Sequence, residues 1–237
     1  MTVLSPEAPL IRLSDLKKDS LLPPKISLTA HEIRAHTWKE IVDKTDKTGA
    51  EYGSISSFHK GKVYHGGVSK GHAERPDHEG PPGSKERAGW GPSLFPHGLS
   101  SWRYINGMED ILMIHGHPMP SEVDHIKTTH HSITDVKYFF DSNLWASIVL
   151  DRGGAHLLRR YSQRFKETID AKKLVGQSYE GKERVIEVIS ALGEKMEPYG
   201  IQYFYTPEIN FTEGGIVVFT DARFLERKVE ESAPRSA

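Results

Sequence analysis

Two histidines separated by one residue stand at the end of a short apolar run, and they are the strongest chemical signal in the chain. Ile111–Ile114 are all apolar, and His115-Gly-His117-Pro118 follows at once. The run is typical of a buried strand, on which side chains at positions i and i+2 point to the same side. Both imidazoles could then bind one ion at ~2.0–2.1 Å, the usual Zn–N distance. Two strand-end histidines that hydrogen-bond to loop backbone would give the same pattern.

A carboxylate from another element could complete such a site, because open catalytic zinc sites usually have three protein ligands. Ser132-Ile-Thr-Asp135 offers one at the start of a helix predicted at residues 133–142. The same serine and aspartate have the spacing of an N-terminal helix cap, and capping and metal binding are compatible.

Upstream, Glu51 opens a predicted strand and follows a predicted helix. This position suits a general base for a metal-activated water. A solvated charge at a strand end is the alternative interpretation. The loop between the two candidate ligand motifs also contains His125, His130 and His131, any one of which could replace the aspartate as third ligand or simply face solvent.

The order of these features resembles that of the JAMM metalloproteases, also called the JAB or MPN-plus domain, which include zinc-dependent deubiquitinating isopeptidases. The family pattern is an upstream Glu, then H-x-H-P, then S-x-x-D, and the resemblance covers roughly residues 29–160. It implies that His115, His117 and Asp135 hold Zn²⁺. It further implies that Glu51 is the general base and that Ser132 donates a hydrogen bond to the developing oxyanion.

Two segments match the serine and aspartate of that pattern. Pro120-Ser-Glu-Val-Asp124 reproduces the letters best, but it follows His117 so closely that its carboxylate would be hard to return to the metal. Ser132 and Asp135 leave a longer loop than the family usually has, yet the helix that they begin leads directly into the apolar strand predicted at 145–150. Asp135 is therefore preferred, with Asp124 as the open alternative.

The resemblance implies a zinc-dependent hydrolase, a metalloprotease or deubiquitinase-like isopeptidase, that acts on amide bonds of a protein or peptide, including bonds to ubiquitin-like modifiers. Two other classes stay open. One is a non-catalytic JAMM-like scaffold in a protein complex, against which the retention of all three residues Glu51, His115 and His117 argues. The other is a different His/carboxylate metallohydrolase, such as a nuclease or phosphatase.

Composition narrows the function classes further. The 237 residues include 31 Lys and Arg against 32 Asp and Glu, and this balance gives no basic field for nucleic acid. There is no cysteine, which excludes disulfides, thiolate metal sites and a cysteine nucleophile. No apolar run approaches the ~18 residues of a membrane span, and no signal peptide opens the chain. We therefore expect a cytoplasmic protein, whose export would need a route that reads no signal peptide.

The predicted fold class is α/β, with a mixed, curved central sheet flanked by helices in a JAB/MPN-like, deaminase-like layout, followed by a C-terminal α+β extension. The domain prediction is an N-terminal arm at 1–26, a catalytic domain at 27–160 with a long loop or flap at 69–100, an extension at 161–225 and a tail at 226–237. Amphipathic periodicity predicts helices at 29–44 and 182–197. Strands are predicted at 51–58, 63–68, 111–114, 145–150, 156–158, 201–205 and 215–220.

Overall fold

The computed structural model describes residues 8–70, 108–117, 131–162, 170–178, 180–182 and 184–225. Within these residues, nine strands form one curled mixed sheet flanked by helices, which confirms the predicted α/β class. The strands are β1 (Lys25–Thr29), β2 (Tyr52–His59), β3 (Lys62–His65), β4 (Ser69–Lys70), β5 (Glu109–Gly116), β6 (Ala146–Asp151), β7 (Gly154–Arg160), β8 (Ile201–Thr206) and β9 (Ile216–Asp221). The helices are α1 (Trp38–Thr48), α2 (Ile133–Asp141), α3 (Ala171–Ser178) and α4 (Val185–Met196).

The strand order is β1-β9-β8-β7-β6-β5-β2-β3, with β4 beside β2. Neighbouring strands are antiparallel except β5 and β6, which are parallel and are joined through α2. A parallel pair needs such a crossover, because the chain must return to the edge where the first strand began. The carboxyl ends of β5 and β6 therefore lie at the same edge of the sheet. β8 and β9, from the predicted extension, pair into this same sheet.

Helices cover both faces of the sheet and enclose two apolar cores. On one face, α1 packs through Trp38 and Ile41 against the strands. On the other, α2, α3 and α4 pack over Met113, Leu158 and Tyr203. The sequence analysis predicted α2 and α4 but not α3. We call the second face of the sheet, covered by α2, α3 and α4, the helical face.

The first predicted helix begins nine residues later than its sequence indicates, at Trp38 instead of Thr29. Thr29-Ala-His-Glu32 has the spacing of a capping box, and part of it forms, since Thr29 accepts from the Glu32 amide and donates to the Glu32 carboxylate. Thr29, however, ends β1, and Arg34 has a left-handed conformation with φ +51° that breaks the helical path. The hydrogen bond from the Glu32 amide to the Thr29 hydroxyl requires only a local turn, so it can form although no α-helix follows directly.

The segment predicted as an N-terminal arm packs into the domain from residue 8 onward. Leu13 and Leu16 are fully buried in the core beside α1. The buried guanidinium of Arg159 donates to the backbone carbonyls of Leu16, Lys18 and Ser20. Such multiple bonding satisfies a charged group that is costly to bury, and it holds the segment on the sheet. In the described part of the chain, no helix is long and apolar enough to span a membrane.

Candidate metal centre

The two histidines of the H-x-H pattern project from the end of β5 onto the helical face. His115 pairs with Val149 of β6, and the His117 amide extends the ladder by donating to the Leu150 carbonyl at 2.9 Å. Gly116 between them faces α1, where a Cβ would lie 2.8 Å from Thr45 Oγ1. Close packing of the strand on α1 therefore favours glycine at the middle position, while the flanking imidazoles share the opposite side.

Asp135 reaches the histidines from the first turn of α2. Ser132 is the N-cap of that helix, and its hydroxyl accepts from the Asp135 amide at 3.2 Å. The Asp135 carboxylate in turn accepts from the Ser132 amide at 2.7 Å. The two contacts form the reciprocal capping box that the S-x-x-D spacing predicts. Capping fixes the carboxylate at the helix start, and the same carboxylate faces β5.

The two imidazoles and the Asp135 carboxylate lie close enough to share one ion. Asp135 Oδ1 is 3.0 Å from His115 Nε2, and Asp135 Oδ2 is 3.0 Å from His117 Nε2. The two Nε2 atoms are 3.2 Å apart. Tetrahedral coordination with bonds of ~2.0–2.1 Å places ligand atoms about 3.3 Å from one another, so the observed spacing fits a small divalent ion. Buried His115, His117 and Asp135 could therefore hold a metal ion.

The donor set and its electrostatics also suit a cation. Burial would raise the pKa of Asp135, but the charges and hydrogen bonds of the two imidazoles lower it well below its usual range. Burial would lower the pKa of His117, but the Asp135 carboxylate outweighs this effect and raises it to about 9. The anionic Asp135 carboxylate thus favours a positive charge between itself and the two imidazoles. A metal ion bound there would take the place of the proton on His117.

Glu51 lies beside the three ligand residues without joining them. Gly53 of β2 pairs with His115 in an antiparallel register. Glu51 lies two residues before Gly53, and His117 lies two residues after His115, so the two side chains come opposite each other. Glu51 Oε1 is 4.0 Å from His117 Nε2. Its side chain is largely buried. A water bound by an ion at the centre would lie within reach of this carboxylate, which is the geometry that a general base needs.

Of the alternative ligands, His131 is the one that the structure describes. It is fully buried, so of the two alternatives left open for it, exposure to solvent is wrong, and burial holds its pKa well below the usual range. It is not among the ligand atoms grouped around Asp135. Pro118, Asp124, His125, His130 and the predicted flap beyond residue 70 lie outside the described residues.

Sequence reasoning missed a set of polar residues behind this centre. Asp151, His156 and Tyr203 are buried on the helical face and are hydrogen-bonded to one another. The predicted strands at 156–158 and 201–205 contain His156 and Tyr203, and Asp151 directly follows the predicted strand at 145–150, but none of the three was assigned a role. Alternation along the two strands was the available signal, since it places both residues on the side that carries His115.

Asp135→Asn and Asp124→Asn should separate the two candidate carboxylates. Asn at position 135 keeps an oxygen for the Ser132 amide but loses the charge, so we expect zinc affinity to fall more than the ~10–100-fold that an outer hydrogen-bond partner is worth. Asp124→Asn should change affinity less than twofold. Competition with a chromogenic chelator measures both. A loss confined to Asp124→Asn would assign the third ligand to the earlier segment.

A scan of protein-family models, a search of curated proteins and a search of solved structures each found no match for this chain.

Proposed function

We propose that this protein is a zinc-dependent amide or isopeptide hydrolase of the JAMM type. The observation that carries the proposal is the cluster of His115, His117 and Asp135, in which each imidazole Nε2 lies 3.0 Å from one oxygen of the Asp135 carboxylate and 3.2 Å from the other Nε2, with the Glu51 carboxylate next to it. Two imidazoles and one carboxylate are a ligand set of catalytic zinc sites, and they leave a position open for water.

The chain order supports the same proposal. An upstream Glu, H-x-H-P and S-x-x-D occur in the order of the JAMM pattern. Glu51 lies beside His117, and Asp135 lies beside both histidines. The mixed sheet between helices is compatible with a JAB/MPN-like layout. The absence of cysteine is consistent with a mechanism that uses no thiol.

In this mechanism zinc would supply the nucleophile, because it lowers the pKa of water from 15.7 towards ~7. Glu51 accepts the proton of the attacking water and later gives it to the leaving amine. The Ser132 hydroxyl, which accepts from the Asp135 amide, has its own hydrogen left for the developing oxyanion. One such donor typically contributes ~2.7–4 kcal/mol. The substrate would be a protein or peptide amide, including an isopeptide bond to a ubiquitin-like modifier.

Metal content and hydrolysis, measured together on the full chain, test the proposal. We expect one zinc per chain and cleavage of ubiquitin-like isopeptide or peptide amide substrates. A chelator should abolish the cleavage and added zinc should restore it. No bound metal would favour a non-catalytic scaffold, and two metals per chain would favour a binuclear hydrolase. One zinc without cleavage of any amide substrate would contradict the proposed activity while leaving the metal site intact.

A further inference from the structure

Behind the metal centre, a hydrogen-bonded chain of buried polar side chains crosses three neighbouring strands. Asp151 ends β6, His156 lies on β7 and Tyr203 lies on β8, and all three are almost completely buried. His115 pairs with Val149, and Val149 pairs with His156, so the metal-facing histidine and His156 lie in one row on the helical face. We call Asp151, His156 and Tyr203 the buried triad.

The hydrogen bonds of the buried triad run from Asp151 through the His156 ring to Tyr203. The Asp151 carboxylate accepts from the Gly153 amide at 2.6 Å and lies 3.0 Å from His156 Nε2. An ionised carboxylate only accepts, so a hydrogen on His156 Nε2 faces Asp151, and in the neutral imidazole of that tautomer Nδ1 is an acceptor. Tyr203 Oη is 3.0 Å from that Nδ1 and is hydrogen-bonded to it. The three groups thus orient one another, and the ring of Tyr203 is held at a fixed position.

His131 connects the buried triad to the helix that carries Asp135. Its ring meets the Tyr203 ring edge to face, with centroids 5.9 Å apart and an angle of 82°. It is fully buried and stands immediately before Ser132, the N-cap of α2. His131, which contacts Tyr203, is therefore only four residues before Asp135 in the chain. Any shift of His131 would move the helix start, and with it the carboxylate that contacts His115 and His117.

Buried polar residues are costly unless they are fully paired, and such networks commonly fix a unique geometry. We propose that Asp151, His156 and Tyr203 are positioning residues which, through His131, hold the start of α2 and place the Asp135 carboxylate for metal binding. The inference rests on the proposed metal centre and extends it to residues that bind no metal. Groups that hydrogen-bond directly to a metal ligand typically contribute ~10–100-fold to metal affinity, and we expect the buried triad, which acts through His131, to contribute at the lower end of this range.

Tyr203→Phe tests the inference, with Tyr205→Phe as its matched control. Both tyrosines are on β8, but the Tyr205 hydroxyl donates to the Gly153 carbonyl at 2.5 Å, whereas the Tyr203 hydroxyl is hydrogen-bonded to His156 Nδ1. Zn²⁺ affinity is measured by chelator competition, and Co²⁺ supplies a visible absorption spectrum that reports ligand geometry. We expect Tyr203→Phe to lower affinity ~10-fold or more and to change the Co²⁺ spectrum. Tyr205→Phe should stay within about twofold of wild type.

Asp151→Asn is a second, nearly isosteric variant in case Tyr203→Phe does not fold, and it should lower affinity and alter the Co²⁺ spectrum in the same way. A purely structural role predicts a lower melting temperature with unchanged metal affinity and spectrum. Wild-type affinity and spectrum in either folded variant would overturn the inference alone. If the wild-type protein binds neither Zn²⁺ nor Co²⁺, the metal centre itself is wrong and the inference fails with it.

Discussion

Glu51→Gln is expected to leave zinc content and folding unchanged and to remove most of the amide hydrolysis. The side chain is not one of the three grouped ligands, and the amide nearly matches the carboxylate in shape. It cannot accept the proton of the attacking water, and general acid–base catalysis typically contributes ~10²–10⁴ in rate. The loss should therefore appear as a fall in kcat of that order, measured with an isopeptide substrate on zinc-loaded protein.

Glu40→Gln is the matched control for this substitution. Glu40 lies on the exposed side of α1, where it pairs with Lys44 at 2.5 Å. A surface pair of this kind contributes little to stability, so both turnover and zinc content should match wild type. Unchanged turnover in Glu51→Gln would remove Glu51 from the mechanism. Loss of zinc in the same variant would instead indicate that Glu51 is a ligand.

His117→Ala is expected to lose the metal and all zinc-dependent hydrolysis while the sheet stays folded. The substitution removes one of three ligand atoms, so affinity should fall by more than the ~10–100-fold assigned to outer partners. The fold should persist because His117 lies at the end of β5, beyond the apolar residues that pack the two cores. Zinc content by elemental analysis and the far-UV circular dichroism spectrum measure the two effects separately.

The double variant His115→Ala/His117→Ala extends the test to the whole H-x-H pattern. It should bind no zinc at the stoichiometric level. His36→Ala, at an exposed position before α1, controls for the general removal of an imidazole and should bind zinc as wild type does. Full zinc retention by the double variant would place the metal elsewhere in the chain and refute the centre described above.

Local patterns were sufficient to predict the parts of the site that depend on neighbouring residues. The period of a strand puts His115 and His117 on one side, and the S-x-x-D spacing puts Ser132 and Asp135 in a capping box, as the structure has them. Both inferences need only the geometry of a few consecutive residues. For the same reason seven of the nine strands and the α/β class could be predicted, since apolar runs and their turns are local signals, whereas β1 and the two-residue β4 were not predicted.

The capping pattern of Thr29 and Glu32 shows where local patterns stop being sufficient. The Glu32 amide does donate to the Thr29 hydroxyl, yet β1 pairs with β9 through Thr29 and the helix begins only at Trp38. Pairing with a distant strand outweighed the local helix signal, because propensity is weak beside tertiary contacts. The burial of Leu13 and Leu16 also depends on a distant residue. The Arg159 side chain, more than a hundred positions away, donates to the Leu16 carbonyl and holds this segment on the sheet.

By itself the sequence determined which residue types were available for chemistry, and it determined the local geometry of the H-x-H pair and the cap. Only the tertiary structure decided that Asp135 meets both imidazoles and that Glu51 comes opposite His117. It also decided that His131 is buried against Tyr203 and joined through it to His156 and Asp151. These contacts follow from strand register and from helix packing on one face. Both are set by burial of apolar surface across the whole domain, which no short window of sequence contains.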